Sequence, residues 1–97
     1  MKIQWTQKAQ QSFDKIVDFL QEEWSINSAI RFVQKTNHFI DLLKKQPNLG
    51  KAETVKKDLR SFVLTRQTIV FYRIKNENLI VLIKFFDTRQ NPLKKLK

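Results

Sequence analysis

Few side chains in this 97-residue chain can move a proton. It has one histidine, His38, one tyrosine, Tyr72, and no cysteine. Cleavage of RNA by its own 2′-hydroxyl would need a base for the hydroxyl proton, cations for the charge on phosphorus and an acid for the leaving oxygen. Cations are plentiful: Arg60, Arg66, Arg73, Lys84 and Arg89, with Lys56 and Lys57 as second choices. They could cradle phosphates or simply form a solvated face. The proton carriers are poorly placed for this work. His38 falls within a helical pattern, away from the strands, where a surface or packing role is the ordinary one. Tyr72 sits mid-strand on the face assigned to the core, so its hydroxyl is expected to find a partner at the core edge. An arginine has too high a pKa to be the default acid or base. Metal chemistry fares no better, because one histidine and scattered acids lack ligand spacing. Asp14 with Asp18, or Glu22 with Glu23, could hold a hard cation but read as solvated helix surface. A single glycine excludes a glycine-rich phosphate loop, and no cofactor is implied.

The charge points to a partner. Nineteen Lys and Arg against nine Asp and Glu give +10. Residues 1–50 hold seven basic and five acidic side chains, and residues 51–97 hold twelve and four, so the second half carries +8 of the total. Such a field favours nucleic acid, an acidic protein or an anionic surface. Without cysteine there is no disulfide framework or thiolate metal site, which fits a reducing, cytoplasmic setting. No segment approaches the roughly 20 consecutive apolar residues of a membrane helix. Met1 to Trp5 lacks the apolar run of a signal peptide. At this length one domain with one core is expected over residues 1–97.

The elements that must position these residues follow from hydrophobic spacing. Residues 3–5 read as a short strand. Phe13, Ile16, Val17, Leu20 and Trp24 form one stripe of a helix over 7–23. Ser25 suits the N-cap of a second helix, whose stripe is Ala29, Phe32, Val33, Thr36, Phe39, Ile40 and Leu43. Pro47 and Gly50 end it. The short connection predicts an antiparallel helical hairpin. Val55–Leu64, Thr68–Ile74 and Leu79–Phe86 then read as strands, with Thr65-Arg66-Gln67 and Lys75-Asn76-Glu77-Asn78 as turns. Lys94-Lys95-Leu96-Lys97 reads as a frayed basic end. The expected fold is α+β, in the order β-α-α-β-β-β, with the helical hairpin on a small antiparallel, four-stranded sheet.

The last hairpin is registered by its turn. With Ile74 opposite Leu79, Tyr72 meets Val81 and Val70 meets Ile83, and that face, with Phe85, suits the core. The other face carries Ile69, Phe71 and Arg73 against Ile80, Leu82 and Lys84, with Phe86 beyond. Two helices cover only one face of such a sheet. A partner, a second copy in a homodimer or a folded-back tail should cover the other, because apolar patches rimmed with charge mark interaction surfaces.

Four stretches carry a family resemblance: Pro47-Asn48-Leu49-Gly50, Arg60-Ser61-Phe62-Val63-Leu64, Ile69-Val70-Phe71-Tyr72-Arg73-Ile74, and Phe85-Phe86-Asp87-Thr88-Arg89-Gln90-Asn91-Pro92. In this order and at this length they resemble the consecutive blocks of RelE/ParE toxins of type II toxin–antitoxin systems, over nearly the whole chain. The resemblance implies a helical hairpin on a small antiparallel sheet, growth inhibition or plasmid stabilisation, and a tight complex with an antitoxin. RelE-like members cut messenger RNA in the ribosome, using strand Arg and Lys with a terminal Tyr or a Glu/His/Tyr set. ParE-like members poison DNA gyrase without catalytic apparatus. Here no Tyr or His follows the last strand, and Ile69 stands where RelE-like members place an early Arg. Arg89 matches the Arg after the last strand, where it could bind phosphate or pair with an acid such as Asp87.

The resemblance therefore favours a ParE-like toxin that binds gyrase. A ribosome-dependent messenger endoribonuclease using Arg60, Arg73, Lys84 and Arg89 is the alternative. A non-enzymatic nucleic-acid-binding module is the second. Contact with the target or antitoxin is expected at Arg60, Arg66, Phe71, Arg73, Leu82, Lys84, Phe86 and Arg89. The antitoxin is expected to be acidic, neutralising Arg60, Arg66, Arg73 and Lys84 and covering Phe71, Leu82 and Phe86.

Overall fold

The computed structural model describes residues 1–53 and 58–90. Lys56, Lys57, the expected strand start at Val55 and the basic end at 94–97 lie outside the described residues. Strand β1 (Lys2–Trp5) leads into α1 (Gln7–Glu23) and α2 (Ile26–Lys45), and then a 3-10 turn (Pro47–Leu49). Strands β2 (Lys51–Ala52), β3 (Leu59–Val63), β4 (Thr68–Asn76) and β5 (Leu79–Asp87) follow, with a closing 3-10 turn (Thr88–Gln90).

Both helices start where a hydroxyl can serve an orphan amide. Thr6 accepts from Ala9 N, and Ser25 accepts from Ser28 N. The buried stripes are Ala9, Ile16 and Leu20 on α1, and Ala29, Phe32, Thr36, Phe39 and Leu43 on α2. Thr36 is tolerated in the core because its hydroxyl donates to Phe32 O at 2.9 Å. Trp24 departs from the expected stripe. The helix stops at Glu23, and Trp24 takes non-helical backbone angles that leave it 66% exposed.

The helical hairpin on a small sheet is as expected, but the sheet has five strands in the order β1-β5-β4-β3-β2. It is mixed: β1 runs parallel to β5, from Lys2 opposite Leu79 to Trp5 opposite Leu82, and the other pairings are antiparallel. The two-residue β2 is the reason. It adds one reversal of the chain between α2 and β3, so β1 and β5 point the same way. Two exposed residues carry no periodicity, which is why the sequence pattern does not reveal it.

The core lies between the hairpin and one sheet face. Trp5, Phe13, Phe32 and Phe85 form a cluster with ring centroids 5.3–5.5 Å apart. Phe39 stacks on Phe62 at 4.6 Å and meets Tyr72 edge-on. Such pairs add about 0.5–1.5 kcal/mol each beyond area burial.

The β4–β5 register differs from the turn-based expectation, with consequences for the site. Ile74 lies opposite Ile80, Tyr72 opposite Leu82 and Val70 opposite Phe85, with irregularities between Ile74 and Asn76 and between Phe71 and Tyr72. Asn76 extends the strand and accepts from Asn78 N through its side chain, at 2.8 Å. One extra residue at Lys75 therefore slips the register, and a one-residue slip exchanges faces. Ile80 and Leu82 turn into the core, both fully buried. A second bulge at Ile83 reverses the exchange, so Phe85 is again buried and Lys84 and Phe86 face outward. Leu82, expected on the contact face, is thus a core residue.

A bulge frees backbone groups that must find partners. The N-cap hydroxyl that precedes α1 and one within its first turns supply them. Thr6 Oγ1 donates to Ile83 O at 2.9 Å, and Ser12 Oγ accepts from Phe85 N at 2.9 Å. The helix thereby fixes the segment that presents Lys84.

Candidate functional site

The outer sheet face is built by alternation along β4. Phe71 and Arg73 point away from Tyr72 and the helices. Phe71 lies opposite Lys84, Ile69 opposite Phe86, and Arg73 between Val81 and Leu59. Leu59, Phe71, Arg73, Ile83 and Lys84 line a shallow depression of about 260 Å³. Lys84 Nζ lies 5.6 Å from the centre of the Phe86 ring, within cation–π range. Arg73 Nε is buried and has no hydrogen-bond partner among the described residues. A buried charged donor left unpaired is costly, so this atom is poised for an acceptor brought from outside.

The other expected cations do not converge here. Arg60 lies opposite Tyr72 and so on the helix side of β3; its guanidinium donates to Gly50 O at 2.6 Å and also reaches Asn48 O. It braces the loop after α2. Arg66 is exposed in the turn between β3 and β4. Arg89 is held by Asp87, with Nε to Oδ1 at 3.0 Å and an Nη to Oδ2 at 2.6 Å, and it lies over the Phe19 ring. Sequence alternation could have found Leu59. Nothing in the sequence marks Ile83, because its position depends on the bulge.

Burial alone would raise the Asp87 carboxyl, but side-chain and backbone hydrogen bonds from Arg89, the Thr68 hydroxyl and the Arg89 charge together hold it below 3.8. Asp87 thus ties the end of β5 to the start of β4 and to the closing turn. Burial pushes the Tyr72 hydroxyl above 10.0, against the opposing pull of the Gly50 amide and the Arg60 charge. That hydroxyl accepts from Gly50 N at 2.7 Å and donates to Pro47 O at 2.8 Å. It is fully committed on the helix side, as a structural tyrosine. Gly50 must be glycine because a Cβ would meet Ser61 O at 2.7 Å and Tyr72 at 2.8 Å. His38 is exposed on α2. The outer face therefore sets Arg73 and Lys84 on an apolar floor, with the Ser61 hydroxyl donating to the Glu53 carboxylate toward its β2 edge.

The model of the ParE toxin of type II toxin–antitoxin systems (parDE) matches residues 3–92. The chain belongs to the ParE toxin family. Solved structures agree on the ParE/RelE fold. A chain of the chromosomal ParDE toxin–antitoxin system of P. aeruginosa superposes with a TM-score of 0.76 at 23% identity, over 90% of this chain and 95% of that one. The YoeB/ParE toxin from Agrobacterium tumefaciens gives 0.66 at 20% identity, over 90% and 98%. YafQ from E. coli gives 0.59 at 13% identity, over 91% and 93%. No curated protein sequence matches. This ParE-family toxin has, among its described residues, no helix long and apolar enough to cross a membrane.

Proposed function

We propose that this ParE-family toxin inhibits DNA gyrase by binding it through the outer sheet face, without cleaving RNA, and that a cognate acidic antitoxin neutralises it by covering the same face. The observation that carries this reading is the unpaired Arg73 Nε beside Lys84, over Phe71, Ile83 and Leu59. A macromolecular partner offering a carboxylate or carbonyl would satisfy the cation while burying the apolar floor. Interfaces combine apolar burial with charged anchors in this way, and arginine is enriched among their energetic centres. RNA cleavage has less support, because the Tyr72 hydroxyl is committed behind the sheet and His38 lies on α2.

The test uses purified gyrase and relaxed plasmid. Excess toxin should suppress supercoiling and accumulate cleaved DNA, and antitoxin should reverse both. The same toxin on programmed ribosomes should leave messenger RNA intact. Full gyrase activity at excess toxin, or codon-dependent cleavage on the ribosome, would reject the reading.

A further inference from the structure

A second cationic site lies away from the outer sheet face. At the tip of the helical hairpin, the end of α1, the first turns of α2, the β3–β4 turn and the segment after β5 enclose a cleft of about 330 Å³. Leu20 and Phe32 line it, and Trp24, Arg31, Lys35 and Arg89 stand around it. Trp24 is 66% exposed, because the helix ends one residue before it. The indole therefore contributes little to the core and is open to an outside contact.

The charges are available. Arg31 and Lys35 are exposed, and the ion pair found among the described residues joins Arg89 to Asp87, not to either of them. They stand four residues apart on α2, so their Cβ atoms are about 6 Å apart along one helix face. Arg89 is anchored through Nε and one Nη to Asp87 and rests on Phe19, which leaves its other Nη to donate. A guanidinium fixed in this way loses little entropy when it binds an anion.

We propose that this cleft is a binding site for single-stranded nucleic acid, with a base stacked on Trp24 and successive phosphates held by Arg31, Lys35 and Arg89. Exposed aromatics beside a cationic groove are the usual construction for strand binding without sequence preference. An acidic peptide fits less well. A helix needs a groove about 10 Å wide and several turns long, whereas this cleft is at the small end of ligand sites, which run from about 300 to 1,000 Å³. It has room for one ring, with the phosphates of the strand running along the rim formed by Arg31, Lys35 and Arg89. The site is independent of the gyrase reading, since it shares no residue with the outer-face depression.

The test is fluorescence anisotropy of the full chain with a labelled 12-nucleotide thymidine strand, the matching duplex and an acidic peptide of equal charge, between 50 and 200 mM salt. The strand should bind about tenfold more tightly than the duplex and quench tryptophan emission. Trp24→Ala should weaken strand binding about tenfold. Arg31→Glu with Lys35→Glu should weaken it at least tenfold and reduce the salt slope by about 1.4, the value for two phosphate contacts. Lys2→Glu with Lys75→Glu, the same charge change at the opposite end of β5, should change affinity less than threefold. Thermal melts should show all variants folded. The proposal fails if no strand binding is seen at 50 mM salt, if Trp24→Ala has no effect, if both charge-reversal pairs lose equally, or if the acidic peptide binds more tightly than the strand.

Discussion

Ser12 provides a test in which the sign alone is decisive. It sits on α1, partly exposed, and its hydroxyl already bonds the carbonyls of Lys8 and Ala9. If that were its whole role, Ser12→Ala would stabilise the protein, since alanine is the better helix former by about 0.5 kcal/mol. The structure gives it a second role, accepting from Phe85 N at the β5 bulge. Removing that acceptor leaves a backbone donor at the edge of the core unsatisfied, at a cost of about 1–3 kcal/mol. The two effects combine to a loss of about 1.5 kcal/mol, or about 6–12 °C in Tm for a chain of this size. Urea unfolding and calorimetry would measure it, and Ser12→Thr, which keeps the oxygen, should restore most of the loss. A more stable Ser12→Ala variant would refute the role given to the helix in fixing the bulge.

Further outcomes follow from the same contacts. Gly50→Ala should destabilise by about 1–3 kcal/mol, as overpacking does, because its methyl group would strike both the Ser61 carbonyl and Tyr72; chemical denaturation reads this directly. Leu82→Ala should cost about 2–5 kcal/mol as a buried leucine, whereas Phe71→Ala should cost much less in stability and more in partner affinity. Asp87 has a depressed carboxyl pKa in the folded state, so its contribution is complete above the unfolded value of 3.8 and is withdrawn as pH falls through the lower folded value. Urea midpoints taken from pH 6 to pH 2 should therefore fall more steeply for the native chain than for Asp87→Asn, and parallel curves would count against the Arg89 clamp.

Much of this architecture can be read from residue spacing. The helix stripes apart from Trp24, the cap at Ser25 and the Tyr72 core position follow from local rules that the structure obeys. The face assignments along β5 fail for one reason, which is tertiary control of strand register. Lys75 and Ile83 each insert one residue, the first exchanges faces and the second restores them, and the hydrophobic pattern of β5 is too uniform to show either event. Spacing alone therefore misplaces Leu82, while it puts Phe71, Arg73, Lys84 and Phe86 on the face they occupy. The parallel β1 pairing is not legible in the pattern because it depends on β2, which is two residues long. Charge counting grouped Arg60, Arg66 and Arg89 with Arg73, although Arg60 and Arg89 are committed to Gly50 and Asp87 inside the molecule. A sequence shows which side chains are cationic but not which of them already have partners.

The most direct measurement is the potency of an Arg73→Glu, Lys84→Glu variant against purified gyrase, alongside its unfolding free energy. The variant should stay folded, need at least tenfold higher concentration to inhibit supercoiling, and lose its hold on an acidic antitoxin in parallel. A folded variant that inhibits gyrase as well as the native chain would contradict this.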